Sequence, residues 1–231
     1  MTVTTQGPDD RPPPFALLAR ETLLFPLNRT RAAFAPVVKL NVAGDGRPVL
    51  VIPGFMASDR TTARLRNSLK NAGFVCQGWG LGRNMGVASN IFALMDHRLS
   101  AMPADTPVTL VGWSLGGVIA REYAKYAPHR IAKVITLGSP FSGSPRANNG
   151  WRAYERIAGH KVDSPLLDVT LCDKPPVPTI SIWSTRDGMV APRAACGLPH
   201  ESDTQIKTDC THMALIADPG LIRRIAQIIT D

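Results

Sequence analysis

The stretch Val108-Thr-Leu-Val-Gly-Trp-Ser-Leu-Gly-Gly-Val-Ile-Ala-Arg-Glu122 decides how this chain folds. Its opening, Val108 to Gly112, is apolar and rich in β-branched residues, which predicts a strand; Leu115 to Tyr126 has the period of an amphipathic helix. Where one becomes the other stands Gly112-Trp113-Ser114-Leu115-Gly116, a G-x-S-x-G motif on a strand-to-helix turn. So tight a turn strains the serine, and Gly112 and Gly116 omit Cβ atoms that would meet neighbouring backbone. Ser114 Oγ is then expected to stand exposed above the sheet. The N-terminus of the next helix directs its dipole and free N–H groups there, which stabilises negative charge on a substrate. A Gly-rich turn with a serine cap would read similarly in isolation, but the flanking strand and helix favour a nucleophile.

Outward from this motif, six short apolar runs recur: Pro48 to Ile52, Gly73 to Gln77, Val108 to Gly112, Ile131 to Leu137, Thr179 to Trp183 and Thr204 to Thr208. Helical patterns cover Arg60 to Asn71, Val87 to Met102, Leu115 to Tyr126 and Leu221 to Ile229, and a helical stretch from Phe15 to Phe34 is interrupted at Pro26. Runs as continuous as Val49-Leu-Val-Ile predict strands covered on both faces, as in parallel sheets. The alternation therefore predicts an α/β fold: a mostly parallel, doubly wound sheet of about six strands with helices on both faces. Residues 1–14, polar and ending in three prolines, form a tail; residues 15–231 form one domain. Within it, 139–178 breaks the rhythm and suits a small cap or lid.

The formal charge of +8 is spread over several segments rather than gathered in a run. That distribution fits solubility better than a nucleic-acid footprint, so no nucleic-acid partner is expected. The N-terminus has no basic start followed by an apolar core, and the apolar runs are shorter than the roughly 20 residues a membrane span needs, so a cytoplasmic location is expected. Cys76, Cys172, Cys196 and Cys210 lack zinc-ligand spacing. Neither a metal nor a cofactor is expected. Gly78-Trp-Gly-Leu-Gly-Arg misses the G-x-G-x-x-G spacing of a dinucleotide site and reads instead as a loop on the catalytic rim.

The segment around Ser114 resembles the nucleophile elbow of the α/β-hydrolase superfamily, especially its small bacterial esterases and lipases, over roughly residues 45–231. That resemblance implies a chain order of serine, acid, histidine, the last two in loops after later strands. Asp187, at the end of Thr179-Ile-Ser-Ile-Trp-Ser-Thr-Arg-Asp-Gly, matches the acid loop, whereas Asp163, Asp168 and Asp173 fall in the cap without a strand to position them. His212, after the last strand and before the terminal helix, matches the base; His200 sits in a polar loop, and His97, His129 and His160 are read as surface or structural residues. The oxyanion donors implied are the N–H groups of Leu115 and of Phe55, the latter in Val51-Ile-Pro-Gly-Phe-Met, which is similar to the family's His-Gly loop with Pro53 replacing the histidine.

Met56, Trp79, Trp113, Phe141 and Trp151 are expected to wall an apolar acyl pocket. Cys196 and Cys210 flank thirteen residues, and some secreted bacterial lipases carry a comparable bridge. A disulfide there would brace the base by about 3 kcal/mol in the loop-entropy model, whereas a reducing cytoplasm would leave free thiols. A bridge would also fit a periplasmic or secreted location. The resulting reading is a serine hydrolase of carboxylic esters, acting through an acyl-enzyme on small or lipid substrates, with transient contact at a lipid interface and no stated oligomeric state. An acyltransferase with the same three residues, or a non-catalytic module with a hydrolase fold, are the alternatives.

Overall fold

The computed structural model describes residues 11–23, 35–164 and 170–231. Each of the six apolar runs forms a strand: β1 (Pro48–Ile52), β2 (Val75–Gly78), β3 (Val108–Trp113), β4 (Ile131–Leu137), β5 (Thr179–Ser184) and β6 (Thr204–Thr208). They make one sheet in the order β2-β1-β3-β4-β5-β6, and every neighbouring pair is parallel. The helices are α1 (15–23), α2 (Ala63–Asn71), α3 (Ile91–Ser100), α4 (Leu115–Tyr126), α5 (Trp151–Ala158), α6 (Pro192–Cys196) and α7 (Pro219–Thr230).

The two-residue repeat of β1 divides the core. Val49 and Val51 face Leu65 and Leu69 of α2 and Ile222 and Ile225 of α7, while Leu50 and Ile52 face Met95 and Leu99 of α3 and Ile119 and Tyr123 of α4. All five residues of β1 are buried. At about 1.5–3 kcal/mol per fully buried aliphatic side chain, this strand rewards coverage on both faces and resists any slip in register. The edge strand β6, Thr204-Gln-Ile-Lys-Thr, is exposed or half-buried throughout, and its polar residues guard that edge. α7 starts where Asp218 accepts a hydrogen bond from Leu221 N–H at 2.8 Å, with Pro219 in its first turn.

Several expectations change at their margins. The helix expected from Val87 starts at Ile91, and the one expected from Arg60 starts at Ala63, because turns precede both. Helix α6, Pro-Arg-Ala-Ala-Cys, is too short to show a helical period. Residues 1–10 of the tail and 24–34 of the first helical stretch lie outside the described residues. The tail's last residues are docked rather than free: Pro13 is buried, and its carbonyl accepts from Asn149 Nδ2 at 3.1 Å. The segment 139–178, expected as a cap, carries α5, with 165–169, and so Asp168, outside the described residues.

Candidate active site

Ser114, Asp187 and His212 each lie past the C-terminal end of a strand, where loops of a parallel sheet converge. Ser114 joins β3 directly to α4 with φ 55° and ψ −124°, a left-handed conformation costly for any residue with a Cβ. Its N–H donates to Leu137 O at 2.8 Å, which ties the turn to the end of β4. A Cβ on Gly112 would collide with Gly116 O, and one on Gly116 with Ile52 O. The turn therefore exists only with glycine at both positions.

Asp187 and His212 meet across the ends of β5 and β6. Asp187 Oδ1 accepts the N–H groups of Met189 at 2.7 Å and Val190 at 2.8 Å, leaving Oδ2 for His212 Nδ1 at 2.7 Å. Both residues are buried, Asp187 to 1% exposure and His212 to 4%. Burial alone would disfavour the imidazolium, but the Asp187 charge, its hydrogen bond and the nearby Glu21 carboxylate outweigh that, so the histidine titrates above its ordinary value. Trp113 completes the setting: its Nε1–H donates to His212 O at 3.1 Å, and its ring lies 5.3 Å from the imidazole.

The loop after β1 reaches the serine. An ideal Cβ on Gly54 would lie 3.0 Å from Ser114 Cβ, which places the Gly54-Phe55 backbone against the side chain. Met56 follows with φ 59°, and a residue that sequence reasoning passed over holds this turn open: the fully buried Asn84. Its Nδ2 donates to Pro53 O at 2.8 Å, its N–H to Ala57 O at 2.8 Å, and its carbonyl accepts Met56 N–H at 2.7 Å. Its Oδ1 accepts Gly86 N–H at 3.2 Å. An asparagine inside the glycine-rich run 78–86 was the available signal, because a side-chain amide offers a donor and an acceptor at once to the backbone around it.

Ser114, His212, Phe55 and Leu115 line one cavity of about 1350 Å³. Ile91 and Phe92 of α3 and Val118 and Ile119 of α4 give it an apolar arm, and Arg60, Arg64 and Arg83 add charge elsewhere on the wall. Trp151 and Tyr154 of α5 also line it, Tyr154 with its ring 5.3 Å from that of Phe55. Of the five residues expected in the pocket, Met56, Trp113 and Trp151 line it. Trp79 and Phe141 do not. Trp79 packs in the α3/α4 core with Nε1–H donating to Gly82 O at 2.9 Å, and Phe141 lies buried under the Arg121 guanidinium at 3.9 Å. Both aromatics sit in rim loops, but their rings complete the core beneath it.

Cys196 and Cys210 are free thiols, so the bridge considered between them is absent. Cys196 O accepts from Gln205 Nε2 at 3.0 Å. Cys210 Sγ accepts instead from Thr208 Oγ1 at 3.2 Å. Among the described residues, no helix is long and apolar enough to cross a membrane.

A family model described as the alpha/beta hydrolase fold matches residues 99–155. The chain is 37% identical over 166 residues to a pimeloyl-[acyl-carrier protein] methyl ester esterase of Aliivibrio salmonicida, covering 65% of this chain and 56% of that protein. A namesake from Aliivibrio fischeri is 29% identical over 122 residues, covering 49% and 44%. The chain thus spans about half the length of these curated relatives. Among solved structures, a metagenome-derived lipolytic enzyme superposes with a TM-score of 0.63 at 17% identity, over 84% of this chain and 98% of that one. A metagenomic carboxyl esterase gives 0.59 at 18% identity, over 85% and 79%.

Proposed function

We propose that this chain, which has the α/β-hydrolase fold and is similar in sequence to bacterial esterases, hydrolyses carboxylic esters through an acyl-enzyme on Ser114. The observation that carries the reading is the 2.7 Å contact between His212 Nδ1 and Asp187 Oδ2 at the cavity that the strained Ser114 also lines. With Nδ1–H donated to the carboxylate, Nε2 is left as the acceptor, the tautomer a general base needs. Ser114 Oγ attacks the ester carbonyl carbon while His212 takes its proton, and the Leu115 and Phe55 N–H groups stabilise the oxyanion. The imidazolium returns the proton to the departing alcohol. Water, deprotonated in turn by His212, then releases the acid and restores the serine.

The apolar side chains that α3 and α4 contribute to the cavity wall, Ile91, Phe92, Val118 and Ile119, support esters whose acyl portion is a hydrocarbon chain. The names of the curated relatives, esterases of an acyl chain carried on a protein, agree with that class. The test is labelling of folded protein with a fluorophosphonate, mapped by mass, together with p-nitrophenyl ester hydrolysis from acetate to palmitate. Ser114→Ala is expected to abolish labelling and lower turnover roughly 10⁴-fold or more without altering the melting temperature by more than a few degrees. Undiminished turnover in that variant would end the reading.

A further inference from the structure

Ester hydrolysis by Ser114 and His212 makes no use of Glu21, yet this carboxylate is buried beside both members of the imidazole–carboxylate pair. It is 4% exposed and belongs to α1, far from the site in sequence. Its Oε1 accepts the backbone N–H of His212 and, at 3.3 Å, that of Gly188, the residue after Asp187. Glycine is required for that approach: a Cβ on Gly188 would collide with Leu17 O and lie 2.7 Å from Glu21 Cγ. Asn149 closes the arrangement from the cap, its Nδ2 donating to Gly188 O at 2.8 Å and to Pro13 O at 3.1 Å. Glu21 Oε2 is buried with no hydrogen-bond partner among the described residues.

We propose that Glu21 is a positioning residue that clamps the Asp187 loop to the His212 loop and places a second negative charge behind the imidazole. The clamp rests on the reading of Asp187 and His212 as acid and base. Two loops joined only by one side-chain hydrogen bond can drift apart, and a misplacement of about 1 Å at a reacting group costs on the order of 100-fold in rate. One acceptor oxygen holding both backbones removes that freedom. Among the described residues, the titratable and charged groups around the cavity that His212 lines are Glu21, Arg60, Arg64, Arg83, Glu122, Tyr154, His160 and Asp218, and Asp187 from the β5 loop bonds the imidazole directly. Of these, Asp187 and then Glu21 favour the imidazolium against its burial.

The experiment measures kcat, KM and the pH profile of kcat/KM on p-nitrophenyl butyrate for the full chain, with melting temperatures. Glu21→Gln keeps an oxygen for the two amides and removes the charge. It should hold kcat within a few-fold and move the acid limb down by about 0.5–1 pH unit. Glu21→Ala removes the acceptor as well and should lower kcat about 10- to 100-fold with KM little changed. An unmoved acid limb in Glu21→Gln overturns the proposal, whether or not Glu21→Ala folds. So does wild-type kcat in a folded Glu21→Ala whose melting temperature alone falls. If Ser114→Ala is inactive in the same assay, those failures count against the clamp alone; if it is active, the functional reading fails and the clamp with it.

Discussion

Asp187→Asn changes one atom, and the surroundings of that atom set the size of the effect. The wild-type carboxylate makes three contacts: Oδ1 with the N–H groups of Met189 and Val190, and Oδ2 with His212 Nδ1. An asparagine has a single oxygen. Placed at Oδ1, it satisfies both amides but presents NH₂ to Nδ1, which must then accept, and the proton moves to Nε2. Flipped, it preserves the tautomer but sets two N–H donors against an NH₂ group, leaving two buried amides unsatisfied at about 1–3 kcal/mol each. The first orientation therefore wins by about 2–6 kcal/mol, which populates the wrong tautomer almost completely. With Nε2 already protonated, Ser114 has no base, and kcat should fall roughly 10³- to 10⁴-fold, or about 4–5.5 kcal/mol of barrier. Stability should change little, since hydrogen-bond pairing is conserved. The assay is kcat on p-nitrophenyl butyrate between pH 6 and 10 beside a melting curve. Activity within tenfold of wild type in a folded Asp187→Asn protein would refute the reasoning and place the acid elsewhere.

The same geometry makes two further outcomes measurable. Because catalysis needs neutral His212 and its pKa is raised, kcat/KM should reach half its plateau above pH 6.5 and decline as pH falls through that point, as a pH profile would show. An acid limb below the ordinary histidine value would contradict this. Asn84→Ala removes the bonds to Pro53 O and from Gly86 N–H, so it should cost about 1–3 kcal/mol of stability by denaturant titration. It should also depress kcat more than KM, because the turn carrying the Phe55 amide loses its brace.

The sheet was legible because its strands carry their own pattern. Val49 to Ile52 can be nothing but a doubly covered strand once helices flank it, and β4 and β6 begin and end where their composition changes. Ser114 was legible because its motif encodes a local backbone shape. Asp187 and His212 depended on chain order, which the family resemblance supplied. Glu21 and Asn84 escaped because their importance is wholly tertiary: a glutamate on a short helix looks like surface until its 191-residue separation from His212 is closed by folding. Trp79 and Phe141 were misplaced for the converse reason. A loop's position says where its backbone runs but not which way a large ring turns, and burial drew both inward.

The connection between β4 and β5 has a consequence for how such a protein can diversify. In place of a crossover packed directly on the sheet, the chain leaves Leu137, passes through a long segment that carries α5, and re-enters at Thr179 beside the strand it left. Among the described residues between Leu137 and Thr179 none lies in a strand of the sheet, and the returning leg is pinned to α4, where Arg121 Nη2 donates to Cys172 O at 3.3 Å and Asp173 O at 3.2 Å. From 150 to that mooring the chain could be exchanged like a cassette, with Asn149 kept on Gly188 O beside Asp187. New chemical tastes would then arise by grafting there, with the reacting groups and the scaffold beneath them inherited unaltered.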